Sequence, residues 1–136
     1  YVSNVDKLFP ETFYIEVTHH FYIFQVTLFH WDLPQTLEEE MGGWLNSSMV
    51  DYFDNYADLC FRLFGDRVKH WITINEPKTI SLDGYDYGDF APGRCSDRSI
   101  CDAGNSSIEP YIVAYNLLNA HAAAGNIKRF KRATLR

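Results

Sequence analysis

The sequence predicts an α/β fold with a parallel sheet, and three observations lead there. Two short runs rich in β-branched and aromatic residues, Phe24–His30 and Lys69–Asn75, read as buried strands. Between them Met49, Phe53, Tyr56, Ala57, Cys60, Phe61 and Phe64 recur at helical spacing. The order strand, helix, strand, long loop, helix is the alternation of a parallel sheet. Both strands end in polar residues, His30-Trp31-Asp32 and Asn75-Glu76. In a (β/α)8 barrel those ends form the catalytic face. Eight strands and roughly 250 residues close such a barrel. A chain of 136 residues with two strands is therefore expected to be a partial barrel, about its second quarter.

Each element has its own signals. Residues 1–25 mix aromatic and polar side chains without a period of either kind, and Pro10 interrupts the one candidate run, so this stretch is expected to be irregular. Asp32 and Pro34 bound the first strand, and residues 33–46, with Gly42-Gly43, are expected to form a loop. Asn46 or Ser47 can cap the following helix, and Gly65 can end it in the left-handed conformation. Pro77 has no N–H and disfavours helical geometry at Glu76, so the second strand must stop there with Glu76 extended. A loop rich in Gly, Asp and Ser then runs to about Ser107. Pro110 opens the last helix, whose apolar face is Ile112, Val113, Leu117, Ala120 and Ala124. Gly125 weakens its later turns, and residues 125–136 form a basic tail with Lys128, Arg129, Lys131, Arg132 and Arg136.

The bulk numbers narrow the function classes. With 46% hydrophobic and 16% aromatic residues the chain can build a core, and a net charge of −6 argues against nucleic acid as partner. The run from Phe21 to Phe29 is broken by Gln25 and Thr27 and is too short to span a membrane. No signal peptide is visible, and an opening at Tyr1 rather than Met suggests an incomplete or processed product. Cys60 reads as a buried free thiol, whereas Cys95 and Cys101 sit in a polar stretch where a small disulfide loop can close. There is no Cys-x-x-Cys pair and the five histidines lack ligand spacing, so no metal site is expected. Two sequons, at Asn46 and Asn105, join the cysteine pair in pointing to the secretory pathway.

Glu76 leads the residues that could carry chemistry. A carboxyl at a strand end, facing an aromatic-lined cleft, can serve as a general acid when burial raises its pKa. By position alone it reads equally as a surface glutamate in a turn. Asn75 beside it can donate to a substrate hydroxyl or cap the loop. An imidazole such as His30 can hydrogen-bond a sugar, and an indole such as Trp31 can pack on a pyranose face. Without context both read as core residues. Asp32 has a structural role open to it, and Glu38-Glu39-Glu40 read as a solvated loop or helix start.

Four segments resemble glycoside hydrolase family 1. Thr27-Leu28-Phe29-His30-Trp31-Asp32-Leu33-Pro34-Gln35 is similar to the family's third strand. Phe64-Gly65-Asp66-Arg67-Val68-Lys69-His70-Trp71 with Ile72-Thr73-Ile74-Asn75-Glu76-Pro77 is similar to its fourth. Gly84-Tyr85 and Gly88-Asp89-Phe90-Ala91-Pro92-Gly93-Arg94-Cys95-Ser96 resemble the next loop of plant β-glucosidases. Glu109-Pro110-Tyr111-Ile112-Val113-Ala114-Tyr115-Asn116 with His121-Ala122 resembles the fourth helix. The likeness runs over residues 26–124.

The resemblance implies a segment of a TIM barrel covering about strands 3–4 and helices 3–4. It also implies a retaining β-glucosidase that hydrolyses β-D-glucosides in carbohydrate metabolism without a cofactor. Glu76 would be the acid/base, Asn75 the ligand to the sugar 2-hydroxyl, and His30 a ligand to another glycone hydroxyl. Trp31 would line the glycone pocket, Thr79 would lie towards the aglycone, and Cys95 and Cys101 would pair. Glutamate at 76 points to O-glucosidases, since the thioglucosidase branch carries glutamine. Residues 1–25 depart from the pattern, and the family's nucleophile segment, a Thr-Glu-Asn-Gly type motif, is absent. The chain alone is therefore expected to be inactive; the alternative is a carbohydrate-binding remnant or truncated product without turnover.

Overall fold

The computed structural model describes residues 25–134. The expectation of an irregular segment over 1–25, and Phe24 of the first strand, lie almost wholly outside that range.

Strand β1 is Gln25–Phe29 and strand β2 is His70–Ile74, paired in parallel as a two-stranded sheet. Val26, Thr27, Leu28 and Phe29 are all buried. Burial on both faces is why the strand reads as a continuous apolar run rather than an alternation. Gln25 pairs with His70 and Phe29 with Ile74, so the strands end level with one another. The Asn75 amide donates to the Phe29 carbonyl at 2.9 Å, which carries the pairing one residue beyond β2.

The crossover between the strands holds more helix than expected. Residues 33–46 are not a plain loop: helix α1 occupies Gln35–Met41 and a single 3-10 turn occupies Gly43–Leu45. Gly42, at φ 80°, ends α1 and donates to Glu38 and Leu37 carbonyls, the left-handed stop that only glycine makes readily. Helix α2 is Met49–Phe64. Its start carries no side-chain cap; the Asn46 carboxamide oxygen instead takes the Ser48 amide just ahead of it. Gly65 does not end α2 left-handed. It stays right-handed at φ −65°, and its amide returns to the Phe61 carbonyl.

After β2 the chain turns at once into helix α3, Pro77–Leu82, and a π-helical turn, Asp83–Tyr87, where a loop was expected. Pro77 takes the first helical position, where its missing N–H costs nothing. Helix α4 spans Glu109–Thr134 and runs through Gly125 rather than weakening there, so the expected basic tail is helical as far as Thr134. A Cβ at Gly125 would meet open space, so the residue serves no close approach.

The core lies between the sheet and helices α2 and α4. Phe29, Trp44 and Phe53 stack in series, with ring centroids 5.2 and 6.1 Å apart. Phe61 meets Trp71 edge-on at 5.0 Å. From α4, Val113, Leu117, Ala120 and Ala124 are fully buried. Ile112 is 39% exposed and does not belong to that face. Buried Asn116 takes its place beside the core and donates to the Trp44 carbonyl at 2.8 Å. Thr73 of β2 shares a 2.6 Å hydrogen bond with His121 of α4.

Residues 88–108 fold back as a clasp over the start of α4. Cys95 and Cys101 form the disulfide, with Cα atoms 5.6 Å apart. Ser96 and Ser106 exchange amide–hydroxyl bonds of 2.9 Å in both directions. Arg94 reaches Glu109 through two guanidinium nitrogens, at 2.9 and 2.7 Å. That pair holds the Glu109 carboxyl below the usual range for glutamate.

Two stability predictions follow from this packing. Leu117→Ala is expected to lower the unfolding free energy by about 2–5 kcal/mol, and its neighbour Leu118→Ala to change it by less than ~0.5 kcal/mol. Urea titration of dilute chain, followed by tryptophan fluorescence, checks the contrast. Arg94→Met is expected to cost about 1–3 kcal/mol at neutral pH. Because the folded Glu109 pKa is depressed, its contribution is present above 4.5, the ordinary glutamate value, and is lost as pH falls through that range. Urea midpoints should therefore differ between wild type and Arg94→Met at pH 7 and converge in acid.

Candidate functional site

The parallel register sets the two polar strand ends side by side. His30, Trp31 and Asp32 follow β1, and Asn75 and Glu76 follow β2. Trp31 donates its indole N–H to the Asn75 carbonyl at 3.0 Å, bridging the two ends directly. Its ring meets His30 edge-on at 5.5 Å and leans on Phe90 at 5.5 Å. Asp32 accepts the His30 amide at 2.9 Å, the structural role left open to it. Thr79, on the first turn of α3, donates its hydroxyl to the Glu76 carboxylate at 3.1 Å.

Glu76 is not extended. It sits at φ 41° and ψ 64°, left-handed, as does Trp31 at φ 68°. The proline after it disfavours the right-handed helical region, and the turn from β2 into α3 takes the left-handed alternative. Such conformations cost on the order of 1–3 kcal/mol each and persist where the surroundings over-determine them. The Glu76 side chain is exposed, so no aromatic cleft encloses it among the described residues.

His30, Asn75, Glu76 and Thr79 therefore share one end of the sheet with Trp31. With Phe90, Trp44 and Arg94, Trp31 also lines a hollow of about 600 Å³ on the flank of the strand ends. Glu38 enters this hollow from α1. It belongs to the run expected to be a solvated loop or helix start, yet burial raises its pKa, partly offset by the Arg94 charge. Gly43 stands at φ 54°, a conformation that L side chains rarely adopt, with the Glu38 carboxylate directly beside its Cα. Glu38, Tyr85, Arg94 and Glu109 form a polar network that sequence reasoning missed. They come from α1, the π-helical turn, the loop and α4, so no local pattern signals their grouping.

Other sequence expectations sort clearly. Cys60 is a buried free thiol, and burial pushes its pKa up to about 11, so it is protonated and inert at neutral pH. Asn46 is half-buried and donates its amide to the Met41 carbonyl at 3.0 Å. Asn105 is exposed, with its side-chain oxygen accepting the Ser107 amide at 3.0 Å. Among the described residues no three His, Cys, Asp or Glu side chains gather to hold a metal ion. No helix among them is long and apolar enough to cross a membrane.

Comparison with known proteins agrees with this geometry. Residues 14–134 match the family model for Glycosyl hydrolase family 1, extending the likeness on both sides of 26–124. Over 108 residues the chain is 59% identical to Beta-glucosidase 6 of Oryza sativa subsp. japonica, covering 78% of this chain and 21% of that protein. It is 62% identical to Myrosinase 1 of Arabidopsis thaliana over 108 residues, covering 78% and 20% respectively. The solved rice Os3BGlu6 β-glucosidase superposes with a TM-score of 0.77 at 59% identity, over 79% of this chain and 23% of that one. A family 1 β-glucosidase from Thermotoga maritima superposes at 0.67 with 40% identity, over 76% and 21%. The chain thus spans about a fifth of the length of the relatives it matches. On these matches, and on the paired strand ends that carry His30-Trp31-Asp32 and Asn75-Glu76, the chain belongs to glycosyl hydrolase family 1.

Proposed function

We propose that this chain is the acid/base portion of a retaining β-glucosidase, with Glu76 as the proton donor. The observation that carries the reading is the juxtaposition of Glu76 and Asn75 with His30 at one end of a parallel sheet. A retaining glycosidase works through two carboxyls about 5–5.5 Å apart. Glu76 gives its proton to the glycosidic oxygen as the bond to the anomeric carbon breaks. A second carboxylate, supplied from outside these residues, attacks that carbon and holds the sugar covalently. Glu76, now ionised, takes a proton from water as the water attacks the same carbon and frees the sugar. A mutant of the rice enzyme in a covalent complex with Glc supports such an intermediate for a relative.

In this reading Asn75 binds the sugar 2-hydroxyl and His30 a further glycone hydroxyl. Thr79 orients the carboxyl on the aglycone side. Overall identity is as high to Myrosinase 1 as to Beta-glucosidase 6, so the preference for O-glucosides rests on glutamate at position 76.

β1 and β2 are the third and fourth strands of a barrel in the same reading. Support comes from an apolar flank beside β2. One hollow there, of about 380 Å³, is lined by Trp71, Ile72 and Leu117. Another, of about 370 Å³, is lined by Leu82, Tyr111 and Ala114, and the two share Pro77 and Leu118. Tyr111, Tyr115 and Leu118 of α4 are 60–75% exposed along it. A further strand and helix laid on this flank would cover it and wall in Glu76. The disulfide and exposed Asn105 support passage through the secretory pathway, with Asn105 rather than the tethered Asn46 carrying a glycan.

Three experiments test this. The chain alone is expected to release no glucose from 4-nitrophenyl β-glucoside; turnover abolished by Glu76→Gln would contradict the missing-nucleophile reading. A chimaera in which residues 26–134 replace the matching segment of rice Beta-glucosidase 6 is expected to be active. In it, Glu76→Gln should cut kcat/KM on phenyl β-glucoside by at least ~100-fold, a typical general-acid contribution, and azide should restore turnover on dinitrophenyl glucoside. An unchanged phenyl glucoside rate would remove Glu76 from the role. Expressed through a secretory pathway, the chimaera should lose one glycan's mass on Asn105→Gln and none on Asn46→Gln.

A further inference from the structure

We propose that Trp31 is a positioning residue for the acid/base carboxyl, acting through the peptide that joins Asn75 to Glu76. This rests on the reading of Glu76 as the proton donor.

Among the described residues, Trp31 and Glu76 are the two non-glycine positions with positive φ, at 68° and 41°. They lie on different strand ends, and one hydrogen bond joins them: the Trp31 indole N–H to the Asn75 carbonyl, 3.0 Å. That carbonyl and the Glu76 nitrogen belong to one planar peptide unit, so fixing the oxygen fixes the plane from which the Glu76 Cα departs. The Asn75 amide is already tied to the Phe29 carbonyl at 2.9 Å. On the far side of Glu76, its carbonyl accepts the Ile80 amide at 3.2 Å and the Pro77 ring fixes the following φ.

Glu76 is therefore pinned before and after its Cα. Its exposed side chain has little packing to aim it and depends on this backbone frame and on the Thr79 hydroxyl at 3.1 Å. The indole has one donor, and it is spent on Asn75. Trp31 thus offers a substrate only its ring, while its N–H serves the catalytic backbone. Phe90 and His30, each 5.5 Å away, hold the ring in place for that bond.

The test uses the active chimaera and Trp31→Phe, which keeps an aromatic ring and removes the donor. A misaimed acid harms substrates that need leaving-group protonation more than those that do not. Relative to 2,4-dinitrophenyl β-glucoside, kcat/KM on phenyl β-glucoside is expected to fall a further ~10-fold, with KM little changed. A residue that merely stabilises the fold would lower both rates in parallel, and a parallel fall, or no fall, overturns the proposal. Should Trp31→Phe fail to fold, benzothienylalanine at position 31 keeps the bicyclic shape without the N–H and is held to the same ratio. Glu76→Gln run alongside separates the two claims. If it spares the phenyl glucoside rate, the acid/base reading fails. If it abolishes that rate while the Trp31 variants leave the ratio unmoved, only the positioning role fails.

Discussion

The parallel pairing of β1 with β2 is the constraint from which the rest of the structure follows. Phe29 stands opposite Ile74, and the Asn75 amide extends the ladder onto the Phe29 carbonyl. Side chains alternate faces along a strand, so a slip of one residue would send every side chain of the strand to the opposite face. It would also separate the Trp31 indole from the Asn75 carbonyl. Val26–Phe29 are all buried, so β1 is held by packing on both of its faces in this register. The position of the chemistry is thus set by core packing a few residues away.

Helices α2 and α4 supply the weight behind that pairing. Phe53, Ala57, Phe61, Val113, Leu117, Ala120 and Ala124 bury one side of the sheet, and small alanines on α4 let the helix approach closely. The clasp over 88–108 contributes differently. Its disulfide limits the unfolded chain, and the Arg94–Glu109 pair fixes where the clasp meets α4. A partly buried ion pair is weak evidence of net stability, since desolvation offsets much of the attraction, but the two-pronged geometry is strong evidence of position. Its reach to Glu38 and Tyr85 makes the loop, α1 and α4 one electrostatic unit beside Trp31.

The opposite flank is open. Glu76 is exposed, Trp71 and Ile72 of β2 are only half-buried, and Tyr111, Tyr115 and Leu118 of α4 face solvent. Both facts fit a chain that spans about a fifth of its relatives. General acid catalysis by a carboxyl draws on a water-poor setting and on a second carboxylate across the sugar. In our reading both come from elements packed on this flank, so the frame that aims Glu76 is local whereas the setting that activates it is not.

Much of this was legible in one dimension. The sequence by itself determined the two strands, the helices α2 and α4, the stop at Pro77, the cysteine pair and the family, because each rests on local periodicity, on proline's missing donor or on contiguous motifs. Helix α1 showed only as the option of a helix start at Glu38-Glu39-Glu40, because its seven residues carry three consecutive glutamates and one buried leucine, too little for a period to show. The left-handed Glu76 and the right-handed Gly65 reversed the usual preferences of those residues, since the turn into α3 and the exit from α2 were decided by what they had to join. Ile112 looked like core and Asn116 did not, yet the Trp44 carbonyl needed a partner in the interior and took the asparagine. Only the tertiary structure decided that Trp31 would hold Asn75 and that Glu38 would lie near Arg94. Those pairs join residues far apart in the chain, and no local pattern encodes which distant carbonyl or charge a side chain will meet once the core has closed.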